Sequence, residues 1–160
     1  MRSLQPHIIN DITYRVYAHG SEDYKKALML RRFVLGLSPG VSDKDLSFVL
    51  SEHPDEINHI CIGAFLDSAI VGTLNLEPTK SGYLLRQLGV DPGMRGKNIG
   101  MELMRCADEC ARETGAEEIA LHARLNTVGF YFKAGYVSTG KLYVYPSITL
   151  IHMYKKFDKE

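Results

Sequence analysis

The sequence predicts an α/β (α+β) fold built as a single domain over residues 1–160. Three observations carry that prediction. Segments of strand and helix character alternate along the chain, one helix has a sharply divided apolar and polar face, and a strand-turn-helix junction runs from 88 to 100. A chain of 160 residues with 45% hydrophobic and 24% charged residues is long enough for one well-buried core and too short for two ordinary domains.

Taken in order, residues 11–18 alternate like a first strand. Ser21 can cap a helix over 22–37 that Gly36, Pro39 and Gly40 end, with Ala27, Leu28, Leu30, Arg31 and Val34 mixing core and surface positions. Residues 43–52 predict a second short helix, stopped before Pro54. Strands over 58–66 and 69–76 meet at Asp67-Ser68, a tight hairpin turn. The third hairpin strand covers 83–90.

The next helix is the most legible element. Ile99, Leu103, Cys106, Ala107, Cys110 and Ala111 recur on one face at helical spacing, with Glu102, Arg105, Asp108, Glu109, Arg112 and Glu113 on the other. Gly115 stands where a left-handed residue would end it. A strand over 118–123 follows a crossover long enough for parallel pairing. A short helix around 127–134 and strands within 137–154 complete the order β-α-α-β-β-β-α-β-α-β. No repeat, linker or low-complexity segment interrupts it.

Composition removes several function classes. Lys plus Arg and Asp plus Glu are 19 each, so nothing advertises a nucleic-acid backbone as the ligand. No apolar run approaches the ~20 residues that span a bilayer, and the start Met1-Arg2-Ser3-Leu4-Gln5-Pro6 lacks the apolar core of a signal peptide. A cytoplasmic protein with no membrane partner is expected. Cys61, Cys106 and Cys110 lack a framework spacing and read as buried small hydrophobes; as zinc ligands they would need further donors, and no metal is expected.

The junction Leu-Gly-Val-Asp-Pro-Gly-Met-Arg-Gly-Lys-Asn-Ile-Gly ends a strand and opens a helix. The first four N–H groups of a helix have no partner inside it, and the helix dipole adds positive charge there, so an anion satisfies both. Arg95 and Lys97 add cations, Gly96 and Gly100 admit a ligand to the main chain, and Asn98 tolerates left-handed dihedrals. The loop suits a diphosphate. A nucleoside-triphosphate loop is disfavoured, because only two residues separate Gly93 from Gly96-Lys97 and Asn98 occupies the place of the magnesium-binding hydroxyl. The dinucleotide fingerprint fails as well: the glycines fall at 93, 96 and 100, and His122 stands where a ribose-binding acid belongs.

The run Arg95 to Gly100 resembles the acyl-coenzyme A motif of the GNAT superfamily of N-acetyltransferases, Arg/Gln-x-x-Gly-x-Gly/Ala, with Arg95, Ile99 and Gly100 matching and Asn98 replacing a glycine. A second stretch, Asn126-Thr127-Val128-Gly129-Phe130-Tyr131-Phe132-Lys133-Ala134-Gly135-Tyr136, is similar to the family's Asn-x-x-Ala-x-x-Phe-Tyr-x-x-x-Gly-Phe/Tyr signature, with Gly129 where a helix former is usual. The strand at 83–90 resembles the family's central strand. The similarity spans residues 70–157, about half of the chain.

This resemblance implies a mixed, mostly antiparallel twisted sheet with a splayed parallel strand pair and helices on both faces. It implies acetyl-coenzyme A as cosubstrate. The pantetheine arm would pair with main-chain groups of Leu88, Gly89 and Val90, and the diphosphate would rest on Arg95, Gly96, Lys97, Asn98, Ile99 and Gly100, with Asn126 and Tyr131 also at the cofactor. A primary amine of a small molecule or protein would attack the thioester directly. The Val90 N–H would polarise the carbonyl and Tyr131 would be the acid for the leaving thiolate. For the base, Glu77 and His122 are candidates beside a water relay. Arg86 or Gln87, but not both, would face the acceptor cleft, since neighbours in a strand point to opposite sides. Asn126 also reads as a helix N-cap. Arg31 and Arg32 would suit an anionic group of the acceptor, and the loops at 36–45 and 143–149 would set specificity. A catalytically silent acyl-coenzyme A sensor is the alternative, and a homodimer through the last strand is a further possibility.

Overall fold

A computed structural model of the chain describes residues 4–36 and 54–158. Among them, one eight-stranded sheet has the order β1-β2-β3-β4-β5-β6-β8-β7. Its strands are β1 (His7–Ile9), β2 (Ile12–Tyr17), β3 (Ile60–Leu66), β4 (Ala69–Pro78), β5 (Gly82–Val90), β6 (Glu118–Arg124), β7 (Val137–Tyr145) and β8 (Ile148–Lys156). Three helices accompany it: α1 (Glu22–Gly36), α2 (Ile99–Thr114) and α3 (Val128–Lys133). Every strand pair is antiparallel except β5 with β6. The expected second helix at 43–52 lies outside the described residues.

Helices cover both faces because the strands alternate. Cys61 belongs to the apolar layer under α1, with Tyr24, Ala27, Leu28 and Phe65. Its neighbour Ile62 points the other way, into the main core with Leu74, Leu76, Leu103, Ala107, Leu121 and Met153. The apolar stripe of α2 is the centre of that core, with Leu103, Cys106, Ala107 and Ala111 fully buried. Truncating Leu103 to alanine would cost about 2–5 kcal/mol. Gly115 is left-handed at φ 72° and ends α2 with its N–H on the carbonyls of Ala111 and Arg112, as its position foretold. No helix among the described residues is long and apolar enough to cross a membrane.

The strand expected at 11–18 is present as β2, but the sequence missed β1 before it: Asn10 and Asp11 both take positive φ, 50° and 68°, and form a two-residue turn that joins β1 to β2. Asn and Asp are the non-glycine residues that accept this geometry most readily. Strand β1 is held to α2 by His7, whose Nε2 lies 3.0 Å from Glu102 Oε1. The same carboxylate receives two Arg105 nitrogens. Burial works against its charge, but the Arg105 and His7 hydrogen bonds outweigh that and hold Glu102 below the usual carboxylate range. Cys106 completes a group of donors within 4.8 Å of one another, neighbours that the cysteine spacing alone did not reveal. All three cysteines are buried and reduced, and burial raises Cys61 to about 11 and Cys106 to about 12.

Close packing at one glycine positions the site. A β-carbon on Gly72 would lie 2.9 Å from Ile99 Cγ2 and 3.0 Å from Leu103 Cδ1. Gly72 therefore lets the first turn of α2 rest directly on β4, which fixes where that helix begins.

Candidate active site

The site starts from a strand pair that opens. Strands β5 and β6 match only at Gly82 with Glu118, Tyr83 with Ile119 and Leu84 with Ala120, although β5 continues to Val90 and β6 to Arg124. Beyond Leu84 the two strands part. On its other edge β5 remains paired with β4, but the register shifts: Asn75 faces Arg86 and Thr73 faces Gly89. One residue of β4, Leu74, thus opposes two of β5, Gln87 and Leu88. This is a β-bulge, and Gln87 has φ 59° within it. Simple alternation could not foresee it.

The bulge decides what the open edge offers. Asp91 donates its N–H to the Val71 carbonyl at 2.8 Å, so Asp91 points its polar groups toward β4. Gly89 shares that direction, and the N–H and C=O groups of Leu88 and Val90 point to the opening. Half-buried main-chain groups there have no neighbouring strand among the described residues, and such groups need a partner. The β-carbon position of Gly89 faces Val34 of α1 at 3.6 Å, an ordinary contact, so Gly89 leaves room on the helix side rather than in the opening.

At the top of the opening lies the loop 91–100. Asp91 Oδ1 accepts from the Gly93 N–H at 2.8 Å and shapes a one-turn 3₁₀ segment, Pro92–Met94. Gly96 is left-handed at φ 83°, and so is Asn98 at φ 62°, with no side-chain cap on the helix. The first intrahelical bond runs from the Glu102 N–H to the Asn98 carbonyl. The preceding amides of Asn98, Ile99, Gly100 and Met101 consequently face away from the helix. Arg95, Gly96, Lys97 and Asn98 are all exposed beside them. Outward amides, a helix dipole and two cations are the features that suit an anion.

Helix α3 closes the far side. Phe130 Cζ lies 3.3 Å from where a Gly100 β-carbon would be, with Val90 Cγ2 at 3.7 Å, so this glycine lets α3, α2 and β5 meet at one point. Tyr131 is packed edge-on against Phe130, ring centres 5.1 Å apart, and against Tyr136 at 6.2 Å. Burial pushes its hydroxyl up to about 12, although Arg124 pulls the other way. A tyrosine so placed keeps its proton throughout the physiological range. Asn126 is exposed in a 3₁₀ turn, Leu125–Thr127. It is not the N-cap of α3: that position falls to Thr127, whose hydroxyl bonds the Arg124 carbonyl at 2.8 Å.

The two base candidates sit on the α1 side of the sheet. Glu77 is held by Arg86 at 3.0 Å and lies 3.7 Å from His59 Nε2. His122 is exposed on β6, tilted 32° against the Tyr143 ring with ring centres 4.3 Å apart, and 5.9 Å from the His152 ring. Its pKa is lowered, first by partial burial and then by His152, Arg86 and Lys141, so it is a neutral imidazole at pH 7. Arg86 shares this face and Gln87 turns away through the bulge. Arg31 is buried, with Nη1 3.0 Å from Glu56 Oε1 and the Tyr24 hydroxyl on the same oxygen; it is therefore part of a buried ion pair rather than an exposed cation. Arg32 is exposed. His152 was not singled out by the sequence, and Tyr143 was expected only as the start of a specificity loop at 143–149, which the structure instead forms as the ends of β7 and β8 around a short turn; the approach of both rings to His122 depends on the pairing of β6, β8 and β7.

An opened parallel pair with outward helix amides and two exposed cations at its mouth has the shape and charge to suit an extended, phosphate-bearing ligand. Residues 48–157 match the family model described as Acetyltransferase (GNAT) domain, and the chain belongs to that family of acyltransferases. No functionally curated protein is significantly similar to it in sequence. Among solved structures, the fold is shared with a protein assigned as an N-acetyltransferase from Lactobacillus plantarum, at TM-score 0.78 and 22% identity over 92% of this chain and 99% of that one. It is shared with the PaiA N-acetyltransferase of Thermoplasma acidophilum in complex with coenzyme A, at TM-score 0.73 and 23% identity over 91% and 99%. An aminoglycoside 6'-N-acetyltransferase complexed with coenzyme A gives 0.72 and 17% over 89% and 96%.

Proposed function

We propose that the protein, a single domain over 1–160, transfers the acetyl group of acetyl-coenzyme A to a primary amine by direct attack. The observation that carries this reading is the coincidence of three features: open main-chain groups at Leu88 and Val90, free helix amides from Asn98 to Met101, and Tyr131 across the mouth. An extended thioester donor satisfies all of them at once. Its diphosphate would take the loop from Arg95 to Gly100, and its pantetheine arm would pair with Leu88 and Val90 as an added strand. Family relatives of this fold that hold coenzyme A support the choice of donor.

With the donor so held, each residue has a distinct task. The Val90 N–H points at the position of the thioester oxygen and stabilises the charge that develops there. Tyr131 stays protonated and donates to the sulfur as the carbon–sulfur bond breaks. Holding both reactants in one cleft supplies several kcal/mol of the barrier. His122, neutral at pH 7, accepts the proton the amine must lose, directly or through water; Glu77, neutralised by Arg86, is the weaker candidate. Asn126 would contact the arm from the start of α3. Three buried thiols that remain unpaired fit a reducing compartment, the cytoplasm. The last strand, β8, lies between β6 and β7 and has no free edge, so self-pairing into a dimer falls instead to edge strand β7, whose Leu142 and Val144 are 52% and 74% exposed.

The test is purified protein with acetyl-coenzyme A and a panel of amines, read by thiol release. Amine-dependent release supports transfer. Micromolar coenzyme A binding with no release for any amine would instead identify a silent sensor.

A further inference from the structure

We infer that the acceptor amine is a small molecule that also carries a carboxylate and a flat ring, and that it lies along His122, Tyr143 and His152 with its carboxylate toward Lys141. This rests on the acetyl-transfer reading and names the acceptor class for the same site.

The first support is shape. His122 and His152 are register partners on β6 and β8, and the Tyr143 ring crosses to within 4.3 Å of His122. Tyr154 continues the row, nearly parallel to His152 with centres 6.3 Å apart. Thr139 Oγ1 holds His152 Nδ1 at 3.1 Å and fixes that ring. These rings share the sheet face that carries Arg86 and the mouth of the opened pair, and α1 packs farther along, on β4 and β5. The ring planes are tilted, by 32° between His122 and Tyr143 and by 54° between His122 and His152, so the row offers both ring faces and ring edges to an aromatic group.

The second support is charge. Glu77 and Glu118 face this side, and both are already paired, with Arg86 at 3.0 Å and Lys156 at 3.5 Å. Lys141 Nζ lies 5.0 Å from the Tyr143 ring centre and has no carboxylate partner among the described residues. Among the described residues the row is therefore short of unpaired negative charge and has a cation at its edge. That arrangement attracts a carboxylate and repels a polycation. The same field favours the neutral form of an acceptor amine, which is the form that attacks. The depressed pKa of His122 registers this field, through His152, Arg86 and Lys141.

The experiment compares phenylalanine, tyrosine and tryptophan with phenethylamine, tyramine, tryptamine and spermidine as acceptors. In parallel, the His122 and His152 ring signals are followed by NMR as each compound is titrated into the coenzyme A complex. We expect the carboxylated member of a pair to exceed its decarboxylated partner about tenfold in kcat/KM or in binding. We expect K141Q to bring that ratio near one, and K141R to restore it. Raising salt from about 50 to 500 mM should narrow the ratio, since the pair is exposed. Preference for spermidine or the decarboxylated amines, or a ratio unmoved in K141Q, overturns the inference. If no amine is acetylated, the acetyl-transfer reading fails by itself, and the ring titration still decides this one: shifts that K141Q weakens support it, and their absence overturns it.

Discussion

Replacing Gly72 with alanine tests how the sheet places the anion site. The new methyl would lie 2.9 Å from Ile99 Cγ2 and 3.0 Å from Leu103 Cδ1, where relaxed carbon contacts fall at about 3.5–4.0 Å. Both neighbours belong to the first turns of α2 and are fully buried, so neither side chain has space to swing aside. Relief comes from lifting the helix start by roughly 0.5–1 Å, an overpacking that costs about 1–3 kcal/mol. The amides from Asn98 to Met101 move with it, and coenzyme A affinity should fall about tenfold, or about 1.4 kcal/mol. Urea unfolding reads the first quantity and calorimetric titration the second. The companion I99A removes the clashing atom. Alone it should cost about 2–4 kcal/mol, and in G72A/I99A the coupling should return about 1 kcal/mol. A G72A protein with unchanged stability and affinity, or a cycle without coupling, would refute the claim that Gly72 sets the height of α2.

Other consequences are equally specific. Tyr131→Phe should lower kcat about 100–10,000-fold with coenzyme A affinity within about twofold, the size expected for a lost acid; equal kcat would remove Tyr131 from the chemistry. Because the Tyr131 pKa is raised to about 12, the neutral hydroxyl persists as pH rises, so wild-type kcat should show no alkaline fall below about pH 10. An alkaline limb near pH 9 that vanishes in Y131F would contradict that placement. Asn98 is left-handed and its side chain caps nothing; N98G should therefore keep or improve coenzyme A binding, whereas N98V should destabilise the protein by about 1–3 kcal/mol through its branched side chain at positive φ. Thermal unfolding and titration distinguish the two.

Much of this arrangement is legible in the residues. The stripe from Ile99 to Ala111 has one period and one meaning, and it places α2 and its end at Gly115. Asn98 reads correctly because left-handed geometry is a local preference of Asn. Elsewhere the deciding contact is distant in sequence. The turn at Asn10-Asp11 was hidden because β1 is only three residues long and shows no alternation of its own. The bulge at Gln87 exists only as a mismatch between two strands, so no window on β5 contains it. Gly72 looks like any strand glycine until α2 lies on it. Asn126 has the composition of a cap and sits one residue too early for the helix that forms. Tyr143 and His152 gain importance only once β8 and β7 fold back beside β6. Local geometry was readable, and the partners across the sheet were not.

The central claim is that the open edge of β5 receives the donor as an added strand. Hydrogen exchange at single-residue resolution, with and without acetyl-coenzyme A, measures it directly. Leu88 and Val90, whose amides face the opening, should slow on binding, while Gly89, already facing β4, should change little. Exchange at Val90 that is unaffected by saturating acetyl-coenzyme A would contradict the account.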